Sequence, residues 1–216
     1  MSLIKIIYYN VLILSFILSL LKTNREDKSL KLLSAIIFIG LITQLFEDYL
    51  SHRSQSHIIA FHLYNLVEYP LYGAFYYLVI PERRVYRFVI ASIVIYSLVF
   101  IYYYTFVHNI WVDTFGFISA MEGLFMTLLS LYFYYFLMKK PSFIHLFSYP
   151  HFYIISANLI FFSLLIPSMS LDPLFFNKYP ILRQSMLNIS RVSNILMYSL
   201  YCIAFICHLW KPKKSW

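Results

Sequence analysis

The chain has 216 residues, of which 61% are apolar and 12% charged, about half the charged share of a typical soluble domain. A water-facing surface cannot be built from that composition, so lipid must be the solvent for most of the exterior, and no stretch is polar enough to form a separate soluble domain. The net charge of +8 would suggest nucleic acid in a soluble protein, but here the basic residues gather in short connections between apolar runs, which excludes nucleic acid as a partner and reads as a topology signal.

A helix needs about 20 apolar residues to cross the hydrocarbon core, and backbone polar groups in lipid must be satisfied within the segment. Seven windows meet this requirement: residues 4–21, 32–50, 58–80, 88–107, 115–138, 143–166 and 186–210. The expectation is an all-α, seven-transmembrane-helix bundle, with residues 1–216 forming a single membrane domain.

The first window carries only Lys5 early and is followed by Lys22, Arg25, Lys28 and Lys31. That order is the reverse of a cleavable signal peptide, and it anchors the first helix with its start outside. The connections after windows one, three and five and the C-terminal tail add Arg83, Arg84, Arg87, Lys139, Lys140, Lys211, Lys213 and Lys214, making 12 of the 17 basic residues. The opposite connections hold Arg53, Lys178 and Arg183. The positive-inside rule then places the C-terminus in the cytoplasm and the N-terminus outside. Aromatic residues near the span ends, such as Tyr102, Tyr104, Trp111 and Trp210, fit interfacial belts.

Window five places Gly116 with Ala120, and Ser119 with Gly123, at four-residue spacing, which lets a neighbouring helix approach closely within the bundle. The connection over residues 167–185, with Asp172, Pro173, Phe175, Phe176 and Pro180, reads as an outer loop, with a lid lying flat on the interface as the alternative. Cys202 and Cys207 are five residues apart on the last window, point in different directions and imply no disulfide framework.

Ionisable residues inside spans are costly and are functional candidates by default. Counted at about 1.5 Å per residue from the outer end of each window, Glu68 lies about 15 Å deep and Glu122 about 10 Å deep. Asn10, Gln44, Asn158, Arg191 and Asn194 fall at about 8–12 Å on the same count. Six windows thus place a polar group in one layer of the outer half, and window four, which contributes none, is the most lipid-exposed. Residues three or four apart share a helix face. Asn188, Arg191, Asn194 and Tyr198 then form one stripe, and His62, Asn65 and Tyr69 another, with Glu68 beside Tyr64, Asn65 and Tyr72. Pro70 removes a backbone hydrogen bond beside Glu68 and should kink that helix. The candidate site is therefore Gln44, His62, Asn65, Glu68, Glu122, Asn158, Arg191 and Asn194. Arg191, always charged, is expected to pair with Glu68 or Glu122, and helix-to-helix glue is the competing account of the layer. Glu47, Asp48, His52, His57 and His62 gather at the outer mouth. Their spacing fits hydrated headgroup contacts better than a metal, and neither a metal nor a cofactor is expected.

Three seven-helix families are excluded by their motifs. No lysine lies between Lys178 and Lys211, where a microbial rhodopsin needs one; Glu82–Arg83 is not accompanied by the last-helix NPxxY of G-protein-coupled receptors; and only His208 stands where ceramidase-type zinc amidases pair histidines. The runs FHLYNLVEYPLYGAFYYL around Tyr64 and Glu68, SAMEGLFMTLLSLYFYYFL around Glu122, and the segment from Phe152 to Phe162 are similar to those of uncharacterised small seven-helix membrane proteins of Bacteroidota. The resemblance covers most of the chain. It implies the fold and a multi-pass place in the bacterial inner membrane, and it implies no activity.

The functional expectation is a receptor-like or accessory membrane subunit, in contact with membrane lipids. Its outward-facing polar cavity would bind a small molecule, a lipid or a helix of another membrane protein. An intramembrane enzyme using Glu68 or Glu122 as general acid or base is the first alternative, and a small transporter is the second.

Overall fold

The computed structural model describes residues 3–21, 26–52, 58–106, 116–139, 146–175 and 180–210. Seven α-helices fill these residues: α1 Leu3–Ser19, α2 Lys28–His52, α3 Ile58–Val79, α4 Arg83–Phe106, α5 Gly116–Met138, α6 Pro150–Phe175 and α7 Pro180–Leu209. A single 3-10 turn, Leu146–Ser148, precedes α6, and no strand is present among the described residues. Lys22, Arg25, Arg53, His57, Trp111, Lys140, Phe176, Lys178, Lys211, Lys213 and Lys214 lie outside the described residues.

The helices start and stop for local reasons. Asp27 caps α2: its Oδ1 accepts the backbone N–H of Ser29 at 2.8 Å and of Leu30 at 3.2 Å, supplying partners that the first helical turn lacks. Pro150 and Pro180 open α6 and α7, where a missing N–H costs nothing and the fixed φ suits the first turn. The expected loop or lid over residues 167–185 is helical in its described parts, and residues 176–179 lie outside the described residues. α6 runs on through Pro167 and Pro173 to Phe175, and α7 already begins at Pro180. The prolines that suggested a break each forfeit one backbone bond, and the surrounding turns carry the helix past them.

Among the described residues, five helices are long and apolar enough to cross a membrane: α2, α4, α5, and most of α6 and α7. This marks a multi-pass membrane protein. α1 is apolar but spans 17 residues, about 26 Å at the helical rise. α3 carries His62, Asn65, Glu68, Pro70 and a set of tyrosines within its 22 residues, which lowers its hydropathy below that of its neighbours.

Polarity is inverted relative to a soluble bundle. The outside is leucine, isoleucine, valine and aromatic, with Ile13, Leu45, Val94, Leu98, Ile101, Leu131 and Ile203 all exposed. Buried inside are His62, Asn65, Glu122, His151 and Asn158. Rows of exposed large apolar side chains on several helices are what a lipid solvent permits and water does not. Several serines inside the spans are satisfied within their own helix. Ser15, Ser92, Ser130, Ser193 and Ser199, for example, donate to the carbonyl three or four residues back.

α1 packs on α2 and α7, α2 on α3, α3 on α5, α5 on α6, and α6 on α7. α4 packs on α3 and α5 from outside this ring of six, in keeping with its lack of polar residues in the outer half. Close approach of α5 to α6 requires the glycines there. A Cβ on Gly123 would stand 3.0 Å from the Phe162 carbonyl oxygen, and one on Gly116 would overlap the Met169 carbonyl. The small-residue spacing on α5 thus serves packing inside the bundle, as its sequence suggested.

Candidate functional site

A cavity of about 170 Å³ opens inside the ring, in the half of the bundle that holds the N-terminus. All six ring helices line it, and α4 contributes nothing. Its position follows from chain direction. The lining comes from the start of α1 (Tyr8), the end of α2 (Gly40, Thr43, Gln44, Glu47) and the first half of α3 (Phe61, Tyr64, Asn65, Glu68). On the other side, α5 gives Ser119 and Glu122, α6 gives Phe161, Phe162, Leu165 and Met169, and α7 gives Ser190, Asn194, Met197 and Tyr198.

Five of the eight residues singled out by the sequence meet here: Gln44, Asn65, Glu68, Glu122 and Asn194. The Tyr64 hydroxyl donates to Glu68 Oε1 at 2.7 Å, one turn earlier on the same helix face. The Asn65 amide donates to Ser119 Oγ at 3.2 Å and ties α3 to α5 at the cavity wall. The Asn194 amide nitrogen donates to the Ser190 carbonyl at 3.1 Å. The Tyr8 hydroxyl reaches Gln44 Oε1 at 3.4 Å, and the Gln44 amide reaches Glu47 Oε2 at the same distance. Glu122 differs from all of these: it is 2% exposed, and its Oε1 has no hydrogen-bond partner.

The other three candidates lie elsewhere. Arg191 is exposed and forms no ion pair with either glutamate, so the expected pairing does not occur. The inward face of α7 is set by Ser190, Asn194, Met197 and Tyr201. At about 100° per residue, Arg191 stands about 90° away from the centre of that face. A stripe drawn through Asn188, Arg191 and Asn194 averages over this angle. Asn10, also counted in the layer, is exposed and its amide turns back to the Ile6 carbonyl at 2.9 Å. His62 is buried but faces α4, where the Tyr104 hydroxyl lies 2.8 Å from its Nδ1.

Asn158 sits below the cavity. Because α6 ends at Phe175 rather than near residue 166, Asn158 is about 25 Å from the end of its helix instead of about 12 Å. There it accepts from the Tyr201 hydroxyl and donates to the Tyr76 hydroxyl at 3.3 Å. Tyr201 also meets the Tyr72 hydroxyl at 3.0 Å, and Tyr76 bonds to Ser130. This chain joins α3, α5, α6 and α7 with every member buried. It is a satisfied network of the helix-joining kind, distinct in character from the cavity above it.

The outer-mouth cluster separates as well. Asp48 is held by Lys5 at 2.7 Å and by the Tyr9 hydroxyl at 2.6 Å, pinning α1 to α2. Glu47, one residue earlier, turns to the cavity rim instead. Among the described residues no group of three or more His, Cys, Asp or Glu is placed to hold a metal ion. α3 continues as helix through Pro70.

Gly40 belongs to the site although its role was not legible in the sequence. A Cβ there would lie 3.0 Å from the Tyr64 hydroxyl and 3.6 Å from that of Tyr198. The bare backbone of α2 is what gives the Tyr64 phenol its place in the cavity, while the Tyr198 phenol stands at ordinary contact distance. The Tyr64–Glu68 spacing of four was the available signal for the phenol. For the glycine there was none, because its reason lies on another helix. Compared with known proteins, the chain matches no family model, no curated protein and no solved structure.

Proposed function

We propose that this protein is a bacterial inner-membrane binding subunit. All seven helices span the bilayer, the N-terminus faces outward, and the chamber opens toward the outer leaflet. The observation that carries this reading is the concentration of Glu68, Glu122, Gln44, Asn65 and Asn194 around one cavity in a bundle whose exterior is apolar. Polar groups brought together around empty space in a lipid-soluble bundle are better explained by a guest than by packing, because packing would be served by a closed network like that of Asn158. Its volume equals about five or six waters at liquid density, which suits a small solute or one end of a larger molecule. The alternation of basic connections supports the orientation, and the resemblance to the Bacteroidota proteins supports the bacterial membrane.

A receptor-like or accessory role fits a chain whose described helices pack into one apolar-surfaced bundle around a polar cavity. An enzyme would need a nucleophile or activated water beside a carboxylate. A transporter would need interrupted helices around a midplane site, and α3 stays helical through Pro70.

Native mass spectrometry of the full chain extracted in mild detergent tests the reading. A retained small mass is expected in the wild type and should be lost in Ser190→Phe, which fills the chamber from α7. A chamber that retains only water in both proteins overturns it.

A further inference from the structure

The hydrogen-bond inventory of the chamber is one-sided. Six of its polar side chains already spend a donor: Tyr64 on Glu68, Tyr8 on Gln44, Gln44 on Glu47, Asn65 on Ser119, and Thr43 and Asn194 each on its own helix. Three carboxylates, Glu47, Glu68 and Glu122, line the walls, and no lysine, arginine or histidine does so among the described residues. Arg191 is exposed on the outside of α7. Acceptor capacity stands unspent as well, most sharply at Glu122, a 98%-buried residue of the cavity wall whose Oε1 has no hydrogen-bond partner. Aromatic rings of Phe61, Phe161 and Phe162 complete the walls, and ring faces attract cations.

From this, and resting on the binding role proposed above, we infer that the chamber takes a protonated amine. A small organic ammonium would donate its N–H groups to Glu122 and Glu68 while its short carbon stem lies against the phenylalanines. An ammonium carries three donors and no acceptor, which is the complement of the lining. A carboxylate or phosphate guest would add acceptors to a wall that already holds three carboxyl groups. A neutral solute would leave the carboxylates without a counter-charge. The carboxylates are too dispersed to chelate a metal ion, and an organic cation spreads the same positive charge over a larger body. The ammonium could arrive on a free amine or on an ethanolamine headgroup, since the recognised chemistry is the same.

Isothermal titration of the full chain in phosphatidylglycerol nanodiscs tests this with propylammonium chloride and ethanolammonium chloride. Propan-1-ol, sodium propionate and sodium chloride serve as matched controls. Saturable binding of the two amines is expected, with none by propan-1-ol or propionate. Glu122→Gln should weaken the amines at least tenfold, and Arg191→Gln should leave them within twofold of wild type. Should Glu122→Gln fail to fold, Glu68→Gln reads the same loss. Phosphatidylethanolamine added to the nanodiscs distinguishes the sources. Competition with the free amines places the ammonium on a lipid headgroup, and unaltered binding places it on a solute; both sustain the inference. Binding of propan-1-ol or propionate that Ser190→Phe abolishes would overturn the amine while leaving a binding chamber in place. No binding by any probe, together with no retained mass in the native spectrum, would overturn both.

Discussion

The Tyr64 hydroxyl donates to Glu68 Oε1 at 2.7 Å, and it does so from the space that a side chain on Gly40 would fill. A carboxylate on α3 is thus oriented by a phenol one turn away, and the phenol is admitted by a glycine on α2. The pair and the glycine behave as one unit, so their substitutions should not add. Gly40→Ala forces the Tyr64 ring to shift and should cost about 1 kcal/mol of stability, at the low end for overpacking, because the displaced atom is the tip of a side chain. In Tyr64→Phe the crowding oxygen is absent, and Gly40→Ala should then be nearly free. Thermal unfolding of the two single variants and the double variant in detergent checks this. Strict additivity would show that the glycine and the phenol are independent.

The cavity and the network beneath it should answer oppositely to loss of polarity. Asn158→Ala removes the shared partner of Tyr76 and Tyr201 and leaves both buried hydroxyls short of a bond, at a cost of about 1–3 kcal/mol. Glu122→Gln replaces a buried carboxyl whose Oε1 is unpartnered with a neutral group of the same shape, and should be at least as stable as wild type. Denaturation midpoints of the two variants measured side by side decide the matter. Equal destabilisation would assign Glu122 to the structural framework.

At the basic end of the bundle, Asp27 offers a pH-dependent prediction. Burial pushes its carboxyl up, but hydrogen bonds from the Ser29 side chain and the backbone of Leu30 and Ser29, with the charge of His151 nearby, outweigh it and hold the group below the usual carboxylate range. A folded-state value below the unfolded one contributes stability that is complete above the unfolded pKa of about 4 and is lost as pH falls through the folded value. Asp27→Ala should therefore cost about 1 kcal/mol at neutral pH, as loss of a helix cap does. The gap between variant and wild type should close below about pH 4, where the carboxyl begins to protonate. A gap that persists undiminished at pH 3 would mean that the cap acts without its charge.

Lys5 and Asp48 join α1 to α2 at 2.7 Å with both side chains partly exposed. Lys5→Met should cost less than about 1 kcal/mol, and the difference should shrink in high salt. Unfolding curves at low and high ionic strength would contradict this if the loss were large and insensitive to salt.

Much of the fold was legible because helix length and hydropathy are local properties. Seven apolar windows correspond to seven helices, and the main differences are at the ends. Those of α6 and α7 were misjudged because Pro167, Asp172 and Pro173 are breakers by propensity, and tertiary packing overrode them. That one error of length displaced Asn158 from the cavity layer to the network below. Arg191 was misassigned for a different reason. A three-residue step turns a helix by about 300°, and successive steps of three drift around the axis until the last member faces another neighbour. Glu68, Glu122, Asn65, Gln44 and Asn194 were legible because an apolar helix leaves a costly polar group few places to face except inward. Gly40 was not legible, since its effect is on a side chain from α3.

The account stands on Glu68, Glu122 and Asn194 sharing one water-reachable chamber in a bundle wetted by lipid outside. Single-cysteine labelling measures this directly, in a background with Cys202 and Cys207 replaced by serine. A small positively charged methanethiosulfonate added from the outer side should modify Asn194→Cys rapidly. It should leave Leu196→Cys, on the exposed apolar face two residues further on, unmodified. Protection of position 194, or equal labelling of both positions, would contradict the chamber.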